Sequence, residues 1–405
     1  MAGKEPKQVK ILSIDHGEPW RTLPGHGRGI NDLAISPLST NLLASAAEDG
    51  TIRLWNLDRK FENQPCVAMF CGEGHKQPIL ATTFHPNGRW MLSGGLDTAV
   101  CLWSVPTPAE LDKTEEELES HYEPHVIYYP DFYSTEVHHN YVDCLQFYGD
   151  LILSRASKSQ NDRSQSNEIL LWKIDGFNPN DPPPQDPPIP KPDLYTRSAF
   201  SHSSCSRGFQ RLLSFSTTHT DRFYHRFALL HEPGRRPILS MGNQESKFLF
   251  WDLQRLEEGS DPLEEMVSKG KAKGRKQKGS VSSENLDRLG GIRKAESVPS
   301  SDGNTGGGTR KSRHASSSCN VPTDLSAAMP SSTSNSGPGE RKSALSDSYM
   351  PLKPHHTITP RTGLSSKRHF ATSQMAWSPD GTWLVGVGDF GMMCIFHRDK
   401  SLVDA

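Results

Sequence analysis

Apolar residues in this chain come in runs of about five, bounded by Gly, Pro, Asn and Asp, which is the pattern of β-strands and not of helices. Ile30 to Ile35 and Leu42 to Ala46 are two such runs, Glu48-Asp49-Gly50 is a tight turn, and Thr51 to Trp55 is a third run. They predict strand, strand, turn, strand. Tyr141 to Leu145, Asp150 to Ser154 and Glu168 to Ile174 predict a similar group whose last turn is swollen by the polar run Lys158 to Ser166. After a proline-rich connector, Asp181 to Pro192, the runs Phe209 to Phe215, Phe223 to Leu230, Pro237 to Met241 and Lys247 to Leu253 predict one more four-stranded unit. A last unit is predicted from Ser373 to Trp377, Trp383 to Val387 and Met392 to Phe396. Val9 to Ile14 reads as an isolated outer strand.

Polar anchors recur inside this pattern. Gly25-His26, Ser45, Asp49 and Trp55 are matched by Gly74-His75, Ser93, Asp97 and Trp103. Serine to aspartate is 4 residues and aspartate to tryptophan 6 in both copies, and histidine to aspartate is 23 and then 22. That repeat is the signature of WD40 blades, each one a four-stranded sheet. A turn aspartate that holds a histidine, which reaches a serine and the tryptophan N–H, satisfies groups that would otherwise be buried unpaired. His26, Ser45, Asp49, Trp55, His75, Ser93, Asp97 and Trp103 are therefore assigned as structural anchors, with Trp172 and Trp251 in later blades. The expected fold is all-β, a propeller with about five blades visible: four units in 25–257, with connectors at 106–137 and 175–200, and a last blade at 368–399. Tails are expected at 1–24 and 400–405.

Between them, 258–367 is dominated by Ser, Gly, Lys, Arg, Thr and Pro. Such a stretch buries too little apolar surface to offset its ordering entropy and is expected to be a disordered insertion. Within it Lys269 to Lys278 forms a basic cluster, suited to nuclear import, to weak DNA contact or to a plain solvated tether. Ser297 and Ser312, beside basic residues, are candidate phosphorylation positions.

Whole-chain charge adds little: −2 at pH 7 with a pI near 6.8 gives no pull toward nucleic acid or membrane. Seven scattered cysteines without a C-x-x-C pair argue for reduced thiols in cytosol or nucleus. Neither a signal peptide nor a membrane span is predicted. Candidate chemistry is sparse. Gly303 to Ser312 lacks the glycine that a phosphate loop needs before its Lys-Ser pair, and no nucleophile elbow occurs. His138-His139 and His121-x3-His125 have no partners at ligand spacing. No catalytic residue, metal, cofactor or small-molecule substrate is predicted, which leaves recognition by a rigid scaffold.

One segment is more specific than blade spacing. Pro130-Asp-Phe-Tyr-Ser-Thr-Glu-Val-His-His-Asn-Tyr-Val-Asp-Cys144, followed by Gly149-Asp-Leu-Ile-Leu-Ser154, resembles the embryonic ectoderm development and Extra sex combs family. Gly25-His-Gly27 with Ile30-Asn31 and Leu33, and Met241-Gly-Asn-Gln244 with Phe250-Trp-Asp-Leu253, are similar to it as well. The resemblance covers most of 9–257 and 370–399; the insertion has no counterpart.

That resemblance implies a nuclear, non-catalytic WD40 subunit of Polycomb repressive complex 2. Its members are seven-bladed propellers that clasp a helix of the SET-domain histone methyltransferase subunit. On the other face an aromatic cage reads trimethyl-lysine of the histone H3 tail and stimulates repressive methylation. The family's adjacent cage pair falls on Phe223 and Tyr224, and phenylalanine in place of tryptophan offers a weaker π face. The other cage aromatics belong to N-terminal blades with no match in this sequence, and the family's arginine near the cage falls at about Ser373. From the residues alone, Phe223 and Tyr224 also read as ordinary strand aromatics. Val9 to Ile14 matches the outer strand of a preceding blade, so about two blades are expected to be missing. Alternatively that strand closes a ring of five with the last blade. The competing functional reading is a general WD40 adaptor, such as a ubiquitin-ligase substrate receptor.

Overall fold

The computed structural model describes residues 7–112, 123–157, 167–192, 194–200, 207–258, 348–360 and 369–398. The basic cluster 269–278, Ser297, Ser312, His121 and the swollen turn 158–166 lie outside them.

A strand sandwiched between two neighbouring sheets is wetted on neither face, so it shows no polar alternation. Leu42–Ala47 (β4) and Trp90–Gly95 (β8) are buried at every position for that reason. The first blade orders Ile30–Ile35 (β3), β4, Ile52–Asn56 (β5) and Cys66–Phe70 (β6) antiparallel, with His125–Ile127 (β10) added parallel to β6. The second orders Ile79–Phe84 (β7), β8, Val100–Ser104 (β9), Phe132–Ser134 (β11) and Thr196–Ser198 (β15). The third is Val142–Tyr148 (β12), Leu151–Ala156 (β13), Glu168–Ile174 (β14) and Phe209–Ser216 (β16). The fourth is Phe227–Leu230 (β17), Ile238–Gly242 (β18), Phe248–Asp252 (β19) and His356–Ile358 (β20). Thr372–Trp377 (β21), Trp383–Gly388 (β22) and Met393–His397 (β23) make the last. Among the described residues five blades are therefore present, of five, five, four, four and three strands.

The core is divided among the spaces between blades. Trp103, Met91 and Phe70 fill the first space, Trp90, Phe132 and Trp172 the second, Phe215, Met241 and Trp251 the third, Phe248, Phe370 and Leu384 the fourth. Where sheets converge, only small residues fit: a Cβ on Gly94 would lie 2.6 Å from Val142 Cγ1, and one on Gly242 2.4 Å from the Thr372 Cβ. The outward faces at the two flanks behave differently, leaving Leu33 and Ile35 on β3, and Trp383, Met393 and Ile395 on the last sheet, exposed.

Four elements differ from expectation. Phe209 to Phe215, assigned above to the fourth unit, is the outer strand of the third. The fourth blade takes its outer strand, β20, from inside the stretch expected to be a disordered insertion. Leu352 of that stretch is buried against Phe215 and Trp251, and its carbonyl accepts from Trp251 Nε1 at 3.2 Å. A three-residue strand flanked by low-complexity sequence carries too little pattern to be read in advance. Phe223 to Arg226 is loop, and β17 begins only at Phe227. Val9–Leu12 (β1) is not isolated: it pairs antiparallel with Pro19–Leu23 (β2), not with the last blade, and the pair packs Val9 and Leu23 on Leu43 and Trp55.

Candidate functional site

The repeated anchors form closed polar chains inside their blades. In the first, His26 Nδ1 lies 2.9 Å from Asp49 Oδ2 and Nε2 2.7 Å from Ser45 Oγ, which accepts from Trp55 Nε1 at 2.8 Å. In the second, the matching distances are 3.0 Å from His75 to Asp97, 2.8 Å to Ser93, and 2.9 Å from Trp103 to Ser93. Serine, histidine and aspartate in this order resemble a hydrolytic triad. Both hydroxyls, however, are wholly buried and already engaged by an indole N–H, so no substrate reaches them. The same chain recurs in the third blade, where Ser154 Oγ meets His138 Nε2 at 2.7 Å and Trp172 Nε1 at 2.8 Å, with no carboxylate on His138 among the described residues.

The surroundings of His75 and His138 shift them in opposite directions. Burial disfavours a charged His75, but the Cys101 sulfur and the Asp97 carboxylate outweigh it and raise its pKa to about 10. Burial, seconded by Arg211, drives His138 down to about 3 and keeps it neutral. Asp49 is pushed up by burial, yet hydrogen bonds from His26, Thr51 and the Gly27 N–H hold it below the usual carboxylate range. These anchors cement blades. Trp251, the anchor of the fourth blade, donates to Leu352 instead of to a serine.

Phe223 and Tyr224 sit elsewhere, on a loop held from beneath. Arg155 on β13 and Asp143 on β12 are both fully buried and pair at 2.5 and 2.7 Å. The second guanidinium nitrogen of Arg155 donates to the Thr220 carbonyl at 2.5 Å and the Arg222 carbonyl at 3.3 Å, while Asp143 accepts from the Tyr224 N–H at 3.1 Å. Burial raises the Asp143 pKa against the pull of Arg155. From the same blade Asn167 donates to Asp221 at 2.7 Å. The last blade adds ties: Arg222 pairs with Asp389 at 2.6 Å, and the Arg226 N–H donates to the Ser373 carbonyl at 3.0 Å. The Arg226 side chain reaches Asp32 on β3 at 2.6 Å and the Leu80 carbonyl on β7 at 2.9 Å, and Tyr224 Oη donates to Asn31 Oδ1 at 3.2 Å. From the turn after β18 in the fourth blade, Asn243 Nδ2 and the Gln244 N–H donate to the Thr218 and His219 carbonyls of the same loop at 3.2 and 2.9 Å, so all five blades touch it.

The constraint shows in the backbone. Tyr224 has φ +64°, a left-handed conformation that a bulky residue adopts only when its surroundings impose it. The result is a pair of rings with centroids 4.0 Å apart, each about 37% exposed. Sequence reasoning missed a third ring: Tyr141, 44% exposed, meets Phe223 edge-on at 6.2 Å and 84°. Its signal was its place in the Pro130–Cys144 segment, one residue before an innermost strand. Ser373 contributes a backbone carbonyl at the position where the resemblance implies an arginine. Asp32 and Asp143, beneath the rings, are each answered by an arginine.

Comparison with known proteins fits this geometry. The WD domain, G-beta repeat family matches residues 17–56 and 64–104. Polycomb protein EED of Chaetomium thermophilum is 44% identical over 266 residues, covering 64% of this chain and 44% of that protein. Polycomb protein esc of Drosophila melanogaster is 28% identical over 262 residues, covering 63% and 53%. The chain spans about half the length of the curated relatives it matches. Among solved structures, a chain of ctPRC2 in complex with H3K27me3 and H3K27M superposes with a TM-score of 0.68 at 31% identity, covering 97% of this chain and 78% of that one. A chain of an active polycomb repressive complex 2 in the basal state gives 0.68 at 32%, covering 96% and 78%. This chain belongs to the embryonic ectoderm development and Extra sex combs family of Polycomb WD40 proteins.

Proposed function

We propose that this chain is a nuclear, non-catalytic scaffold and histone-reading subunit of a Polycomb repressive complex 2. It holds the SET-domain methyltransferase subunit and binds trimethyl-lysine of the histone H3 tail, and that binding stimulates repressive methylation and gene silencing. The observation that carries the reading is the exposed cluster of Tyr141, Phe223 and Tyr224 on a loop tied to every blade. A quaternary ammonium over such rings gains about 0.5–2 kcal/mol per contact by cation–π attraction and has no hydrogen bond to lose to water. Stimulation requires that the ligand prefer one of two states of the complex. A loop anchored on five sheets suits that coupling, because rings that moved freely would transmit nothing.

The test is a binding comparison on the full chain, with histone H3 peptides trimethylated or unmodified at lysine 27. Preference for the trimethylated peptide is expected, with a loss of about tenfold or more on Tyr224→Ala. Equal binding of both peptides overturns the reader assignment. Co-purification of a SET-domain methyltransferase tests the scaffold role independently, and recovery of cullin-type machinery in its place overturns that role.

A further inference from the structure

Between β14 and β15 the chain crosses from the third sheet to the edge of the second through Pro182-Pro-Pro-Gln-Asp-Pro-Pro-Ile-Pro-Lys-Pro192, seven prolines in eleven residues. Proline fixes φ near −65° and drives the residue before it out of the helical region. From Asp186 to Lys191 every residue either is a proline or precedes one, which disfavours helix and favours extended, polyproline-type backbone.

Both ends of the strap are pinned. At its start the Pro179 carbonyl accepts from Trp90 Nε1 at 3.0 Å and Asn87 Nδ2 at 2.8 Å. Arg89 donates to the Asn180 and Asp181 carbonyls at 3.1 and 2.9 Å. At its end β15 pairs with β11, and Arg197 donates to the Glu73 carbonyl at 2.7 Å. In between, Pro182 to Pro190 make no hydrogen bond among the described residues. Ile189 is 69% exposed, and Pro187 and Lys191 are exposed beside it. A cleft of about 450 Å³, lined by Pro188, Ile189, Leu194 and Tyr195, separates the strap from the sheet edge.

We propose that Pro187-Pro-Ile-Pro-Lys191 is a docking epitope for a polyproline-recognition domain of the WW or SH3 type. An aromatic-lined groove accepts the proline rings and Ile189, its indole and phenol donors reach the unpaired carbonyls, and an acidic residue meets Lys191. The prolines offer no competing N–H. A strap already extended and held at both ends loses less entropy on binding than a free peptide does. The blade surface thereby carries a contact for a second protein, away from the aromatic loop.

The experiment titrates the full-length chain with two recombinant probes: a WW domain that binds a free Pro-Pro-Leu-Pro peptide, and an SH3 domain that binds a free Pro-x-x-Pro peptide. Saturable binding of at least one probe is expected. The double substitution Pro188→Ala/Pro190→Ala should weaken it tenfold or more without moving the thermal midpoint, because neither proline belongs to an inter-blade core. Pro182→Ala/Pro183→Ala, upstream of the epitope, should leave it unchanged. The proposal is overturned if neither probe binds while both bind their control peptides, or if the Pro188/Pro190 variant binds as the parent does.

Discussion

Replacing Arg155 with methionine should separate what the buried ion pair does for the fold from what it does for the aromatic loop. The substitution keeps the unbranched stem of the side chain only as far as Nε and removes four donations: two to Asp143, one to the Thr220 carbonyl and one to the Arg222 carbonyl. Asp143 then stays fully buried without its ion-pair partner, keeping only the hydrogen bond from the Tyr224 N–H. Removing one partner of such a pair costs about 3–5 kcal/mol. Against a domain stability of about 5–15 kcal/mol the variant remains folded but weakened, with a thermal midpoint lowered by roughly 6–20 °C. Adding Asp143→Leu removes the stranded charge, and apolar replacement of a buried pair is close to neutral, so most of the midpoint should return. Peptide affinity should not return, because the two loop carbonyls still lack Arg155 and the Tyr224 N–H now lacks Asp143 as well. The assay is a melt and a trimethyl-peptide titration on wild type, single and double variants. If affinity recovers together with the midpoint, the pair serves stability alone and the positioning argument fails.

Three further outcomes follow from burial and charge. Asp131 is buried, and burial raises its pKa from 3.8 to about 6 despite the hydrogen bond it accepts from the Ser104 N–H. A carboxyl whose pKa is higher folded than unfolded contributes most below 3.8 and loses that contribution as pH rises through 6, roughly 3 kcal/mol in all. Asp131→Asn should therefore stabilise by about 1 kcal/mol more at pH 8 than at pH 5, and a difference independent of pH in paired melts would contradict this. Ser93→Ala strands the charged His75 and the Trp103 N–H, about 3 kcal/mol in denaturant unfolding, whereas Ser154→Ala beside neutral His138 should cost visibly less. Leu352→Ala should cost about 2–5 kcal/mol if the segment after the insertion belongs to the fold, and a melt identical to wild type would show that it does not.

Much of the architecture was legible wherever chemistry repeats locally. The first two blades announce themselves because His26 and His75, Ser45 and Ser93, Asp49 and Asp97 satisfy one another within about one blade of sequence, so spacing is conserved between copies by geometry. What escaped is short or distant. β10, β15 and β20 are three residues each, too brief for any period, and each is added to a sheet by a connector. Phe223 and Tyr224 were singled out through resemblance, but their loop conformation was not foreseen. A positive φ at tyrosine has no sequence signal, since it arises from Asp143 and Asn31, 81 and 193 residues away.

The two polar systems differ in reach, and that difference supports the proposed reading of the aromatic loop. His-Ser-Asp-Trp chains close within one blade, and breaking one loosens that blade alone. The network of Asp143, Arg155, Arg222 and Arg226 closes between blades, so four of the five contribute through it to where Tyr224 stands. Buried charges are expensive, and an apolar plug would hold five sheets together at lower cost. Charged pairs with defined directions fix a loop in one strained conformation, which an apolar plug does not. Retaining them beneath exposed aromatic rings is the arrangement expected of a surface whose exact shape is read by a ligand, and not of one that merely caps a core.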